Sequence, residues 1–162
     1  MLNNIMNLLN NLEERELSEE NPVGMVDYYE EIDMIAFKST FFFDLSGLRM
    51  SACTLIQVEE GKFVPAIMIS SEFDEVNENT QRFFIAHELG HLALHQEVFT
   101  NPNYVRDIND EYQADEYAVK LIGLEATIKG LEDYHNYVLN EACDIIAANE
   151  AEMRLENLKK LM

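Results

Sequence analysis

Two histidines with a glutamate between them are the residues of this chain that could most readily do chemistry. The stretch HELGHLALH runs from His87 to His95 and begins with the pattern HExxH. On a helix, residues four apart lie on the same face, so the imidazoles of His87 and His91 can bind one metal ion. Glu88 flanks that face within reach of a bound water molecule. Hydrolytic zinc sites use this arrangement.

The histidine pair also has a purely structural interpretation. HExxH arises by chance in unrelated chains, so the motif alone is weak support for a metal site. The residues around it, Phe83 to Ala86 and Leu92 to Leu94, are apolar, and a helix that is apolar all round is buried. Two histidines in such a helix are often a hydrogen-bonded core pair. Hydrolytic zinc sites have three protein ligands, so a metal site here would need a third ligand from another part of the chain.

His95 and Glu111 are the two candidates for that third ligand. His95 lies about 12 Å along the helix axis from His87, too far for easy convergence on one ion. We therefore interpret His95 as a packing residue or as a support for a ligand. A helix is predicted from about Asp107 to Ile122, with Gly123 at its end, and it contains the stretch DEYQADEYAVKLI from Asp110 to Ile122. One face of it carries Glu111, Ala114, Asp115, Ala118, Leu121 and Ile122.

Glu111 and Asp115 thus lie on a face that is otherwise apolar and directed to the core. Burying unpaired carboxylates is costly, so the pair needs a cation or hydrogen-bond donors. A metal held by the histidines supplies the cation. Glu111 is then the predicted third ligand, and Asp115 is predicted to accept from the outer N–H of a ligating histidine and fix its tautomer. The alternative is a solvated acidic turn, because ExxxD alone has almost no specificity.

The elements that position these residues predict an α+β fold. Residues 1–17 indicate an amphipathic helix, since Leu2, Ile5, Leu9 and Leu12 recur at helical spacing. Residues 32–70 predict a small antiparallel or mixed sheet, packed against an HExxH helix over residues 77–95. Residues 107–162 are predicted to be helical. We expect one domain over residues 1–162.

The predicted strands are Ile32 to Lys38, Ser51 to Val58 and Phe63 to Ile69, the last two joined as a hairpin through Glu59 to Lys62. Pro65 has no backbone N–H to donate to a neighbouring strand. Its nitrogen side should therefore face a sheet edge or lie at the start of a strand. In the last third, one or two helices over Leu124 to Leu161 are predicted to bury a single stripe. Its members are Leu139, Ala142, Ile146 and Met153.

Charge and cysteine usage exclude several classes of protein. The net charge is −20, from 31 acidic and 11 basic residues, so the chain repels phosphate backbones and anionic lipid surfaces. We expect no nucleic-acid partner and no membrane partner. Two cysteines, Cys53 and Cys143, are too few for a disulfide scaffold or a four-cysteine zinc knuckle. The first residues do not have the pattern of a secretion signal, and we predict a cytoplasmic protein.

The stretch QRFFIAHELGHLALH, followed by EYQADEYA from Glu111 onward, resembles the ImmA/IrrE family of bacterial and phage metallopeptidases. The resemblance implies a gluzincin-like zinc peptidase with Zn²⁺ bound by His87, His91 and Glu111 and with Glu88 catalytic. It also implies a repressor-like protein substrate encoded in a phage or mobile element. The family usually follows the second motif with a Leu-Leu-Met-Pro-like run, where this chain has Lys120 to Gly123.

We therefore predict zinc-dependent peptide hydrolysis in which Glu88 takes a proton from water and passes it to the leaving amine. Tyr104, Tyr112 and His135 are candidates for an oxyanion donor, but for each of them a structural role is the favoured interpretation. If Phe63 to Ile69 is an exposed edge, a substrate strand could add to it.

Two other functions are weighed against hydrolysis. The first is a binding module that keeps the metal and inactivates its partner by contact, although a purely structural site has no need of Glu88 and usually has four protein ligands. The second is a DNA-binding regulator, which the negative charge argues against.

Overall fold

A computed structural model describes residues 2–9, 14–15, 27–29, 34–39, 42–44, 47–49, 51–101, 103–105 and 107–162. The predicted α+β class is confirmed, with a mixed sheet beside the HExxH helix and further helices after it. The strands are β1 (Glu14–Arg15), β2 (Asp27–Tyr29), β3 (Met34–Ser39), β4 (Phe42–Asp44), β5 (Gly47–Arg49), β6 (Ser51–Glu59) and β7 (Lys62–Ser70). The helices are α1 (Leu2–Leu9), α2 (Glu78–Leu94), α3 (Gln96–Thr100), α4 (Ile108–Ile122), α5 (Leu124–Asn140) and α6 (Ile145–Lys159), with a 3-10 turn at Ser71–Asp74.

Five of the described strands form one sheet in the order β1-β3-β7-β6, with β2 also paired to β3. β3 runs parallel to β1 and β7, whereas β6 is antiparallel to β7. β4 and β5 form a separate antiparallel pair. β6 ends the strand order and packs on α2. The sheet therefore meets the HExxH helix through its outer strand.

The predicted hairpin is confirmed, and its turn explains the sequence. Glu59 pairs with Lys62 across two residues, and Gly61 adopts a φ of 77°, which glycine accepts at low cost. Phe63 to Ile69 does not form an exposed edge, because β7 lies between β3 and β6, so the condition for adding a substrate strand there is not met. Pro65 pairs with β6, and the ladder between β7 and β3 begins one residue later at Ala66. The ring therefore lies outside the parallel ladder.

The N-terminal helix is shorter than its apolar spacing predicts. α1 ends at Leu9 and buries Ile5 and Met6. Glu14 and Arg15 pair with β3 in extended form, so the predicted helix over residues 1–17 is wrong at these two positions. Strand pairing with β3 outweighs a continuing helical pattern there. Leu12 lies outside the described residues.

Capping residues mark the start of α2 and both ends of α4. Asn77 caps α2 by accepting from the Thr80 amide at 3.1 Å. Asp107 and Asp110 form a capping box at the start of α4, and Gly123 ends it. The predicted helix from Asp107 to Ile122 is confirmed within one residue.

The predicted apolar stripe of the last third is wrong. Leu139, Ile146 and Met153 are 45%, 61% and 48% exposed. The chain breaks between α5 and α6, where Cys143 adopts a φ of 54°, so no single period runs through that region. The side chains that α5 and α6 bury instead include Leu131, Tyr134, Val138, Ala147, Ala148, Ala151, Leu155 and Leu158. In the described part of the chain, no helix combines the length and apolar character that crossing a membrane requires.

Candidate metal centre

A close crossing of α2 and α4 brings the two sequence motifs together. A Cβ added at Gly90 would lie 2.9 Å from both the Cα and the carbonyl oxygen of Ala114. Real side chains do not approach backbone so closely, so the glycine of HELGH sets the distance between these helices. Ala114 follows Glu111 by one turn. The small pair therefore lets a side chain of α4 reach the histidines of α2.

Three side chains converge where these helices meet. The Nε2 atoms of His87 and His91 are 3.1 Å apart. Glu111 Oε2 lies 3.1 Å from His87 Nε2, and Glu111 Oε1 lies 3.4 Å from His91 Nε2. Two atoms that share a tetrahedral zinc ion at ~2.0–2.1 Å are ~3.3–3.4 Å apart. One atom from each predicted ligand lies within 4.8 Å of the other two, so the three residues could hold one such ion.

Asp115 and Arg154 support His87 from its outer side. Asp115 is fully buried, and its Oδ1 lies 2.8 Å from His87 Nδ1. Arg154, on α6, donates to Asp115 twice, from Nε to Oδ2 at 2.9 Å and from Nη2 to Oδ1 at 2.6 Å. With Nδ1–H of His87 directed at Asp115, the Nε2 lone pair faces Glu111. Asp115 therefore lies where the sequence predicted it, beside a candidate ligand.

Arg154 is a site residue that the sequence analysis missed. It is 3% exposed, and its Nη1 lies 3.6 Å from Glu111 Oε2. A signal was present in the sequence. Arg154 occupies a place on the buried stripe of α6, which otherwise holds Ala147, Ala151, Leu155 and Leu158. An arginine on an apolar stripe needs a buried anionic partner.

Ser51 contacts the predicted catalytic glutamate and was also missed. Its hydroxyl donates to Glu88 Oε1 at 2.8 Å, and both side chains are buried. Ser51 is the first residue of β6, and 37 positions separate it from Glu88. No local spacing could have joined the two. The sheet therefore holds Glu88 in place beside the ligands.

The centre is rich in buried negative charge. Glu88, Glu111 and Asp115 carry three negative charges against the one positive charge of Arg154, which leaves −2 if both histidines are neutral. Glu111 Oε2 is buried and receives no hydrogen bond from the described residues, although His87 Nε2 is 3.1 Å away. A buried carboxylate oxygen without a donor is costly. A divalent cation would satisfy this oxygen and balance the charge, so the residues present fit a metal ion.

The pKa values follow from burial and these contacts. Burial and the charge of Arg154 lower the pKa of His87, but Asp115 and Glu111 outweigh them and raise it to about 9. Burial lowers the pKa of His91. Burial raises the pKa of Glu111, yet the two histidines and Arg154 hold it well below its usual range. In the metal-free site, a proton on His87 thus supplies part of the missing positive charge.

The candidate oxyanion donors make other contacts in the described residues or none to the candidate ligands. Tyr104 donates its hydroxyl to Asp110 Oδ1 at 2.8 Å, at the start of α4. His135 lines a groove of about 480 Å³ between α5 and α6. Within the described part of the chain, no hydrogen bond or ion pair connects Tyr104, Tyr112 or His135 to the three candidate ligands.

Comparison with known proteins gives one match. Residues 59–126 match the Peptidase_M78 family model, described as an IrrE N-terminal-like domain. The matched segment runs from the end of β6 to the start of α5 and contains all three candidate ligands, Glu88 and Asp115. Ser51 and Arg154 lie outside it. No curated protein and no solved structure gives a significant match to the chain.

Proposed function

We propose that the protein is a zinc-dependent metallopeptidase, on the premise that residues 59–126 match the family model of the IrrE N-terminal-like domain, as the resemblance predicted. One observation carries the proposal. The side chains of His87, His91 and Glu111 come together in a buried centre, with 3.1 Å between the two Nε2 atoms, 3.1 Å from His87 Nε2 to Glu111 Oε2 and 3.4 Å from His91 Nε2 to Glu111 Oε1. Two imidazoles and one carboxylate are a donor set of catalytic zinc, and three protein ligands leave a position for water or substrate.

When bound, zinc would polarise the scissile carbonyl and lower the pKa of a water molecule toward ~7. Glu88 is the residue that takes the proton from the attacking water and delivers it to the leaving amine. Ser51 donates to Oε1 of this carboxylate, so Oε2 remains for proton transfer. Asp115 accepts from His87 Nδ1–H and keeps Nε2 of that ring as the ligand atom.

The proposed substrate is a protein, and specifically a transcriptional repressor of a phage or mobile element. The family resemblance supports this substrate class, and the net charge of −20 disfavours nucleic acid and anionic membranes as partners. β6 is the outer strand of the described sheet, and its first residue touches Glu88. An extended substrate segment that pairs with β6 would therefore pass the catalytic glutamate.

We propose that the reaction takes place in the cytoplasm. Cys143 is an exposed free thiol. Free exposed thiols persist in a reducing compartment. A repressor substrate would be found in the same compartment.

The experiment compares the wild-type protein with Glu88→Gln, using zinc content and repressor cleavage as separate readouts. General acid–base catalysis contributes about 10²- to 10⁴-fold, so the variant should keep its zinc and lose cleavage by that factor. Mass spectrometry of the repressor locates the broken bond. A Glu88→Gln variant that keeps zinc and still inactivates an uncleaved repressor would instead establish the contact mechanism of a binding module.

A further inference from the structure

His95 occupies a position behind His91 that neither metal binding by the three candidate ligands nor catalysis by Glu88 explains. It is buried at the end of α2, where its amide donates to the His91 carbonyl. Its Nδ1 lies 3.0 Å from His91 Nδ1, and its Nε2 lies 3.2 Å from Gln113 Oε1. The contact with His91 is on the nitrogen opposite the one that faces Glu111. His95 therefore cannot share the ion that His91 Nε2 would bind.

Metal binding by His91 would determine the position of each proton in the contacts from His91 to His95 and from His95 to Gln113. A ligating Nε2 must be unprotonated, so the remaining hydrogen of His91 is on Nδ1 and points at His95. His95 Nδ1 must then accept, and its own hydrogen is on Nε2. That hydrogen is directed at Gln113 Oε1, which accepts. A neutral His95 fits both contacts with one tautomer, and no donor faces another donor.

We propose that His95 and Gln113 are positioning residues that hold His91 for metal binding, an inference that rests on the proposed zinc peptidase function. His91 donates to His95, and His95 donates to Gln113. Gln113 lies on α4, two residues after Glu111, so the series ties the end of α2 to the helix that carries the third ligand. It orients the His91 ring and stabilises the helix crossing at the same time.

The two candidate histidine ligands are thus supported by different chemistry. His87 is backed by the ionised Asp115, which Arg154 neutralises. His91 is backed by an imidazole and a carboxamide, and the Asp110 carboxylate lies farther away, 3.8 Å from His95 Nε2.

The test measures zinc affinity of the full chain by competition with a chromophoric chelator. Loss of a residue that orients a ligand typically weakens metal binding 10- to 100-fold, which is the expected result for His95→Ala. His95→Gln should remain within a few-fold of wild type, because its carboxamide oxygen accepts from His91 Nδ1–H. His135→Ala is the matched control, since His135 is the histidine of this chain outside the cluster, and it should bind zinc as wild type does.

Two further readouts keep the test decisive. Gln113→Ala removes the carboxamide that accepts from His95 at 3.2 Å without touching a histidine, so it should weaken zinc binding even if His95→Ala fails to fold. In the zinc-loaded wild type, ¹⁵N chemical shifts of the imidazoles should give His95 as the Nε2–H tautomer, and the visible spectrum of the cobalt-loaded protein should change in His95→Ala.

The outcomes separate this inference from the proposed function. Wild-type zinc affinity and cobalt spectrum in both His95→Ala and Gln113→Ala, or a His95 protonated on Nδ1 in the loaded protein, would overturn the positioning role. A wild-type chain that binds no zinc would overturn the proposed function itself. A chain that binds zinc with the predicted His95 effect but cleaves no protein would leave the positioning role standing and refute only the peptidase activity.

Discussion

Replacing Arg154 with methionine is predicted to destabilise the metal-free protein by about 3–5 kcal/mol, the cost typical of removing one partner from a buried ion pair. Arg154 is 3% exposed and donates to Asp115 at 2.6 and 2.9 Å. Its Nη1 also lies 3.6 Å from Glu111 and 3.5 Å from Glu150. Methionine fills much of the volume of the arginine stem, so the loss is electrostatic rather than a cavity effect. Small domains are stable by about 5–15 kcal/mol, so this change removes a large fraction of the total.

The assay is urea unfolding in the presence of a chelator, followed by circular dichroism. Lys129→Met is the matched control, because Lys129 forms an ion pair with Asp133 at 2.6 Å but its side chain is 57% exposed. Exposed pairs contribute about 0–1 kcal/mol, so the control should unfold near the wild-type midpoint. The double variant Arg154→Met/Asp115→Leu should be less destabilised than the sum of the two single changes, because it leaves no unpaired charge at that contact. An Arg154→Met protein within about 1 kcal/mol of wild type would refute the reasoning.

Three other perturbations test separate parts of the centre. Gly90→Ala adds ~1 kcal/mol of helix propensity, but the new Cβ would lie 2.9 Å from the backbone of Ala114, and such overpacking costs ~1–3 kcal/mol. Calorimetry of this variant should therefore show a lower melting temperature, and competition with a chelator should show weaker zinc binding. An unchanged zinc affinity would refute the role assigned to this glycine. Ser51→Ala removes the hydroxyl that donates to Glu88, and a hydrogen bond to a charged acceptor contributes ~1.5–3 kcal/mol. The kcat of this variant should fall about 10- to 100-fold while its zinc affinity is retained. An unaltered kcat would exclude the contact from catalysis. The pKa of His87 is raised from 6.5 to about 9, so the stability that its proton gives the metal-free protein is complete below pH 6.5 and is lost as the pH rises through 9, by up to about 3 kcal/mol. Urea unfolding at several pH values measures this loss of stability. The zinc affinity should rise over the same pH range, because zinc displaces the proton of His87. A His87→Gln variant with the wild-type pH dependence would show that His87 is not the group that titrates.

The sequence predicts the parts of this centre that depend on spacing within one helix. HExxH places two imidazoles on one face of α2, and ExxxD places two carboxylates on one face of α4. Caps at Asn77, Asp107 and Gly123 bound these helices, so their limits are predicted nearly to the residue. Local periodicity and capping suffice because each set of side chains lies within a few turns.

The remaining parts depend on contacts between residues far apart in the chain. Arg154 contacts Asp115 across 39 positions, and Ser51 contacts Glu88 across 37. Spacing alone does not tell which face of α6 meets the centre, and the break around Cys143 shifts the buried stripe away from the predicted one. Pairing of Glu14 and Arg15 with β3 likewise depends on a distant strand. Tertiary packing therefore decided each feature that the sequence analysis missed.

The most direct test of a shared metal ion is a crystal structure of the zinc-loaded protein with anomalous data collected at the zinc edge. A single anomalous peak per chain is expected, ~2.0–2.2 Å from the Nε2 atoms of His87 and His91 and from one carboxylate oxygen of Glu111. Asp115 should remain hydrogen-bonded to His87 Nδ1. A peak elsewhere, or a Glu111 carboxylate turned to solvent in fully loaded crystals, would contradict the account.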